Sequence, residues 1–261
     1  MIIDTHCHAS TRWYEPVETL LFNMDRNSVD SAVLIPLLGA YDSADMIAAV
    51  RRYPDRFIWF AAVDPARADV LDGMRKARDA GARGLRMRAG WRSAGDRPMM
   101  LWEEAEALGL AVSLVGTAAS FVDHALGDVA AHCPKLPLIL EHLGGLARPD
   151  VGDRAAMLEP VCALATYPNL SIKLPGLGQL APRTALDHDG VPLDLTGVHG
   201  ILDRIFGCFG PERIMWGSDF PPVAAREGYG HALHWTREFL AGRGQTALDA
   251  VFGGVADRLL R

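Results

Sequence analysis

Cysteine is sparse and unpatterned here. Cys7, Cys133, Cys162 and Cys208 lie far apart, and no two have the Cys-x-x-Cys spacing of a zinc knuckle or a redox pair. They read as reduced, buried thiols rather than a disulfide framework. Positive charge is also in deficit: 26 Lys and Arg against 32 Asp and Glu leave a formal net charge of −6. With no basic patch, nucleic acid is excluded as a partner. No apolar run approaches the ~18 residues that cross a bilayer, so no membrane partner is expected. The longest run, around Ala32 to Leu38, is interrupted by Pro36. The first residues have no basic region and carry Asp4 within their apolar start, which is unlike a secretory signal, so the expected location is cytoplasmic. Low-complexity tracts, short-period repeats and a Gly-rich dinucleotide fingerprint are missing as well.

What is present is a regular alternation. Short apolar, β-branched runs predict strands at Ile2–His6, Ala32–Pro36, Phe57–Val63, Gly84–Met87, Ala111–Val115, Leu138–Glu141, Leu170–Leu174 and Arg213–Trp216. Helical patterns fall between them, at Pro16–Asn27, Ser43–Arg52, Arg67–Ala80, Met99–Leu108, Phe121–His132, Asp153–Thr166 and Leu195–Phe209. Two more follow, His231–Gly242 and Thr246–Leu259. Pro16 and Pro98 suit first helical turns, and Gly81 and Gly109 suit helix ends. Strands alternating with helices imply parallel strands joined by crossovers, and eight such units in 261 residues predict one α/β domain, a (β/α)8 TIM barrel. An open doubly wound sheet is the alternative, but no Gly-rich turn follows any strand. The one long connection, Pro175 to Asp194, is expected to form a lid.

Barrel enzymes build their sites at the C-terminal ends of the strands. Strand 1 ends in His6 and His8, which alternation places on one face with Asp4, opposite Thr5 and Cys7. Strand 4 offers Arg86 and Arg88, strand 6 ends in Glu141-His142, strand 7 carries Lys173, and strand 8 leads into Ser218-Asp219-Phe220-Pro221. Each has a plainer reading taken singly. His142 would be a core histidine, Asp219 a turn residue, Arg86 and Arg88 partners of surface carboxylates, and Lys173 an edge residue with its head in solvent. Ionisable groups gathered at one end of five apolar strands are costly unless paired or functional, so together they point to a site.

Five stretches resemble the amidohydrolase-related hydrolases of the metal-dependent hydrolase superfamily, nearest the branch of 2-pyrone-4,6-dicarboxylate lactonase and the sugar-acid lactonases. They are Ile3-Asp4-Thr5-His6-Cys7-His8, Ala62-Val63-Asp64-Pro65, Gly81-Ala82-Arg83-Gly84-Leu85-Arg86, Leu140-Glu141-His142-Leu143-Gly144 and Trp216-Gly217-Ser218-Asp219-Phe220-Pro221. The resemblance implies a distorted barrel and a set of roles. Asp219 matches the aspartate that activates water, and His6, His8 and His142 match the histidines of strands 1 and 6. Arg86, with Arg88, matches positions that bind substrate carboxylates. Metal-dependent relatives carry a further histidine on strand 5 or a bridging lysine on strand 4. Here strand 5 reads Ala111-Val112-Ser113-Leu114-Val115 and strand 4 carries arginine, a poor ligand, so a binuclear centre is not expected.

The leading expectation is therefore hydrolysis of a lactone of a carboxylated small molecule. Asp219 acts as base, and His6, His8 and His142 polarise the carbonyl. Arg86, Arg88 and Lys173 hold an anionic substrate. The variant with a cofactor places one divalent metal such as zinc on His6, His8 and Asp219; the resemblance includes metal-free members too. The alternative enzyme class is a metal-dependent decarboxylase or hydratase of an unsaturated acid. A barrel that binds ligand without turnover would have lost these residues, and none is lost.

Overall fold

The computed structural model describes residues 1–181 and 193–261. Eight strands form one parallel sheet in sequence order: β1 Ile3–Cys7, β2 Ser31–Leu34, β3 Phe57–Ala62, β4 Gly84–Met87, β5 Ala111–Leu114, β6 Leu138–Leu140, β7 Leu170–Leu174 and β8 Ile214–Trp216. Helices connect them, and the result is the expected (β/α)8 barrel. Gly81 and Gly109 end their helices at φ +96° and +64°, a conformation that costs a Cβ-bearing residue dearly. One helix differs from expectation. The pattern over Phe121–His132 splits into Ala118–Val122 and His124–His132, because Asp123 is extended between them. The first piece starts earlier than its apolar pattern, at a capping box in which Thr117 and Ser120 satisfy each other's backbone N–H.

Strand parity sorts the side chains into two cores. Leu85, Met87, Val112, Leu114, Ile172, Leu174 and Trp216 face outward into the helices. Val33, Ile35, Phe60, Ala111, Ile139 and Met215 face inward and pack with Val255, Ala256 and Leu260 of the last helix. Above that apolar layer, toward the C-terminal ends, the inward positions turn polar: Arg86, Ser113, Glu141 and Lys173, all buried. The barrel closes at the same level. Beyond the end of β8, Asp219 N donates to His6 O (2.9 Å) and His8 N to Phe220 O (2.8 Å). Lower down, Thr5 Oγ1 donates to Trp216 O at 2.7 Å.

The register of β1 against β2 shifts between Asp4 and Cys7, so simple alternation fails there. Asp4 does not join the histidines. Its Oδ1 accepts from His6 N and Ser218 N, tying β1 to the turn after β8. In the expected lid, Leu177–Gln179 form a short 3-10 turn. The remainder of that expectation, residues 182–192, lies outside the described residues.

Candidate active site

The turn after β8 delivers Asp219, and the turn after β6 delivers His142. Both residues are left-handed, at φ +62° and +52°. Such conformations cost about 1–2 kcal/mol per residue and persist only where surroundings impose them, often at functional sites. Here Asp219 N is bonded to His6 O, and Leu143 N to Lys173 O. The backbone bond that closes the barrel thus also aims Asp219, and one between the neighbouring ends of β6 and β7 aims His142.

Three histidines converge. The ring of His6 lies 4.9 Å from that of His8 and 5.1 Å from that of His142. Asp219 Oδ1 stands 3.8 Å from His6 Nε2 and 3.7 Å from His8 Nε2. These spacings exceed a direct hydrogen bond and suit a reacting oxygen held between the groups. The other carboxylate oxygen, Oδ2, accepts from Gln179 Nε2 at 2.5 Å and from Arg226 Nη1 at 2.9 Å. Burial alone would raise the Asp219 carboxyl, but His8, His142 and Arg226 hold it below the usual aspartate range. It is a carboxylate at neutral pH. Burial and the adjacent Lys173 push His6 well below the ordinary imidazole value. His142 is lowered too, by burial working against the pull of Glu141 and Asp219. Both rings are neutral.

Beneath the histidines lies the polar inner layer. Arg86 forks onto Glu141, Nε to Oε1 at 3.0 Å and Nη2 to Oε2 at 2.6 Å, while its Nη1 donates to Pro36 O. Ser113 Oγ donates to Glu141 Oε1 at 2.7 Å, and Lys173 Nζ donates to Ser113 Oγ at 3.0 Å. Lys173 Nζ also lies 3.1 Å from His6 Nδ1. Burial would raise Glu141, yet Arg86 and Lys173 overcome it and hold the carboxyl far below its usual range. Burial lowers Lys173 to about 8, with Glu141 opposing, so the amine is charged at neutral pH.

The predicted residues thus separate into three groups. His6, His8, His142 and Asp219 come together. Arg86 and Lys173 are buried under them with their donors engaged by protein groups, and Arg86 pairs with a buried carboxylate, Glu141, in place of the surface partner considered for it. Arg88 lies one residue past β4 and is exposed. Sequence reasoning missed Ser113, Gln179 and Arg226, and quoted Glu141 without giving it a role. Ser113 carried a usable signal: it is polar within an apolar strand, on the inward parity of Ala111. Gln179 and Arg226 come from loops, where no periodicity marks them.

Beside His8 a cavity of about 350 Å³ opens between the loops after β1 and β2, lined by Trp13, Tyr14, Ile35, Tyr41 and Met46 among others. Tyr14 stacks on His8, centroids 5.2 Å apart at 22°.

Metal-binding capacity depends on spacing and on donor chemistry. His6, His8 and Asp219 form a cluster with the spacing of a metal site, and so do His6, Glu141 and His142. Donor chemistry fits only in part. His8 donates Nδ1–H to Ile35 O at 2.7 Å, which turns Nε2 to the site as the atom a metal would meet. His6 has an ammonium at its Nδ1, which places the ring proton on Nε2 and a positive charge behind it. Glu141 is already saturated by Arg86 and Ser113. As they are arranged, these residues do not fit a cation.

Known proteins place the chain in context. Over 146 residues it is 33% identical to an L-fucono-1,5-lactonase of Burkholderia multivorans, a match spanning 51% of this chain and only 47% of that relative. The chain thus spans about half the length of the curated relatives it matches. An amidohydrolase of Burkholderia multivorans with bound zinc superposes with a TM-score of 0.78 at 18% identity, covering 100% of this chain and 99% of the other. A putative 2-pyrone-4,6-dicarboxylic acid hydrolase of Pseudomonas putida superposes with a TM-score of 0.73 at 20% identity, over 99% and 97%. These two likenesses concern the fold. The family model described as amidohydrolase matches residues 3–261, and the chain belongs to that family.

Proposed function

We propose that the protein hydrolyses a lactone, with Asp219 as the base that activates water. The observation that carries this reading is a charged carboxylate oxygen set between two imidazole Nε2 atoms at 3.7–3.8 Å, with a buried polar layer joined to His6 through Lys173 beneath. The lactonase relative supports the bond class.

In the proposed reaction, water lies against Asp219 Oδ1 and loses a proton to it as its oxygen attacks the carbonyl carbon. The carbonyl oxygen gains charge and is stabilised by the Nε2–H of His6. Collapse breaks the ring C–O bond, and the proton on Asp219 passes to the leaving oxygen, so one water is added and one ester bond is lost. Gln179 and Arg226 keep Oδ2 fixed throughout. The cavity beside His8, with Trp13, Tyr14 and Tyr41, offers flat faces to a sugar or pyrone ring.

Substrate charge follows from which cations are engaged. Arg86 and Lys173 spend donors inside the barrel, which leaves exposed Arg88 as the one of the three predicted substrate-binding cations not buried beneath the histidines. One anionic group at the mouth, or a neutral sugar lactone, suits this better than a dicarboxylate clamped by two arginines. Metal-dependent decarboxylation gains nothing from a donor set that does not fit a cation.

The test is a panel of sugar-acid lactones and pyrone dicarboxylates, assayed with and without added zinc. Turnover of a sugar lactone is expected, unaffected by chelator. Asp219→Asn should lower kcat by about 10²–10⁴. Near-normal turnover in that variant would sink the assignment.

A further inference from the structure

We propose that Lys173 is a positioning residue that fixes the tautomer of His6, making its Nε2–H the imidazole proton offered to the substrate carbonyl and closing that ring to metal ligation. What the proton does rests on the lactonase reading; where it sits does not.

The assignment follows a chain of donors whose direction is forced at each link. Glu141, paired with Arg86, only accepts, so the single Ser113 hydroxyl proton goes to it. Ser113 Oγ must then accept from Lys173. An ammonium has three donors and no acceptor, so His6 Nδ1, 3.1 Å away, is the acceptor and the proton of the neutral ring lies on Nε2. That Nε2 is buried and has no hydrogen-bond partner among the described residues.

The other two rings are set the opposite way. His8 Nδ1 faces Ile35 O, which only accepts, so the proton His8 carries in either charge state lies on Nδ1, away from the site. Gln179 is oriented by its amide nitrogen on Asp219 Oδ2, which turns Oε1 toward His142 Nδ1 at 3.3 Å. His142 therefore donates from Nδ1 and keeps a lone pair on Nε2. The neutral His6 ring therefore shows the site its proton on Nε2, and the reason is a lysine on β7. A lysine used only to fill space would leave the tautomer indifferent.

Nitrogen-15 spectroscopy of ring-labelled protein at neutral pH tests this, with His6 assigned by difference against His6→Gln. Protonated Nε2 and bare Nδ1 on His6 are expected; the reverse, read in the wild-type protein, would overturn the proposal. Lys173→Met, checked for folding by circular dichroism, should bind zinc at least tenfold more tightly than wild type in equilibrium titration. Its kcat should fall about a hundred- to a thousandfold with KM nearly unchanged, as for loss of one oxyanion donor. Lys173→Arg, which keeps a cationic donor, should still refuse zinc. Equal zinc affinity in wild type and Lys173→Met would refute the metal half. If no lactone is turned over, the functional reading fails while the spectrum and the zinc titration still decide this one.

Discussion

Asp219 is useful as a base because of its neighbours. Burial favours the protonated acid, and Arg226, 2.9 Å from Oδ2, is among the groups that reverse this. The sign is direct: removing a cation from beside a carboxylate raises its pKa. Arg226→Met should therefore move the acid limb of the kcat/KM profile upward, by about 1–3 pH units for loss of a close opposite charge. Activity on the alkaline side of that limb should change far less. A profile that keeps its acid limb in place would show that Gln179 and the histidines suffice. At this scale the sequence was only half legible. His6, His8, His142 and Asp219 were readable because each is a polar residue where an apolar strand stops. Arg226 follows Asp219 by seven residues through a loop, and nothing in its surroundings distinguishes it from the other arginines.

The strands were legible nearly to the residue, because a strand covered on both faces reads as a continuous apolar run. Gly84–Met87 and Leu170–Leu174 fall where the pattern put them. The shifted register of β1 was not legible, since it depends on how β1 meets β2 and β8 rather than on its own residues. Gly217, just past β8, shows how tight that junction is. A Cβ there would lie 2.8 Å from His6 Cβ and 3.0 Å from His6 N. Gly217→Ala should force β1 and β8 apart, destabilising by about 1–3 kcal/mol, as overpacking does. It should also displace His6 against Asp219, so kcat falls more than the melting temperature alone would suggest, by about tenfold or more. Full activity in a folded Gly217→Ala protein would mean that the junction yields elsewhere.

For the molecule as a whole, the question is why a barrel carries a charged layer inside. A buried ion pair is seldom worth more than apolar residues of the same volume, but breaking it by removing one partner costs about 3–5 kcal/mol. Glu141→Gln should thus lose stability on that order at pH 7, because Arg86 keeps its charge without the carboxylate. The pH dependence carries a definite sign. The folded pKa of Glu141 is depressed below the ordinary 4.5, so its contribution is complete above that value and is lost as pH falls from there toward the folded pKa. Asp4 and Glu227, raised by burial, act oppositely, which is why the variant must be compared with wild type rather than the curve read alone. His6 and His142, also held below the ordinary 6.5, lose stability in both proteins as pH falls through that value, so the readout is the difference: the gap in denaturant midpoint between wild type and Glu141→Gln should hold from pH 7 to 5 and narrow below. The decisive comparison is the double variant Arg86→Met with Glu141→Leu. If the layer serves the site, the pair of apolar residues should recover most of the stability and none of the turnover, because Ser113 would lose the acceptor that takes its proton and leaves its oxygen to accept from Lys173. Recovery of both would reduce the charged layer to packing.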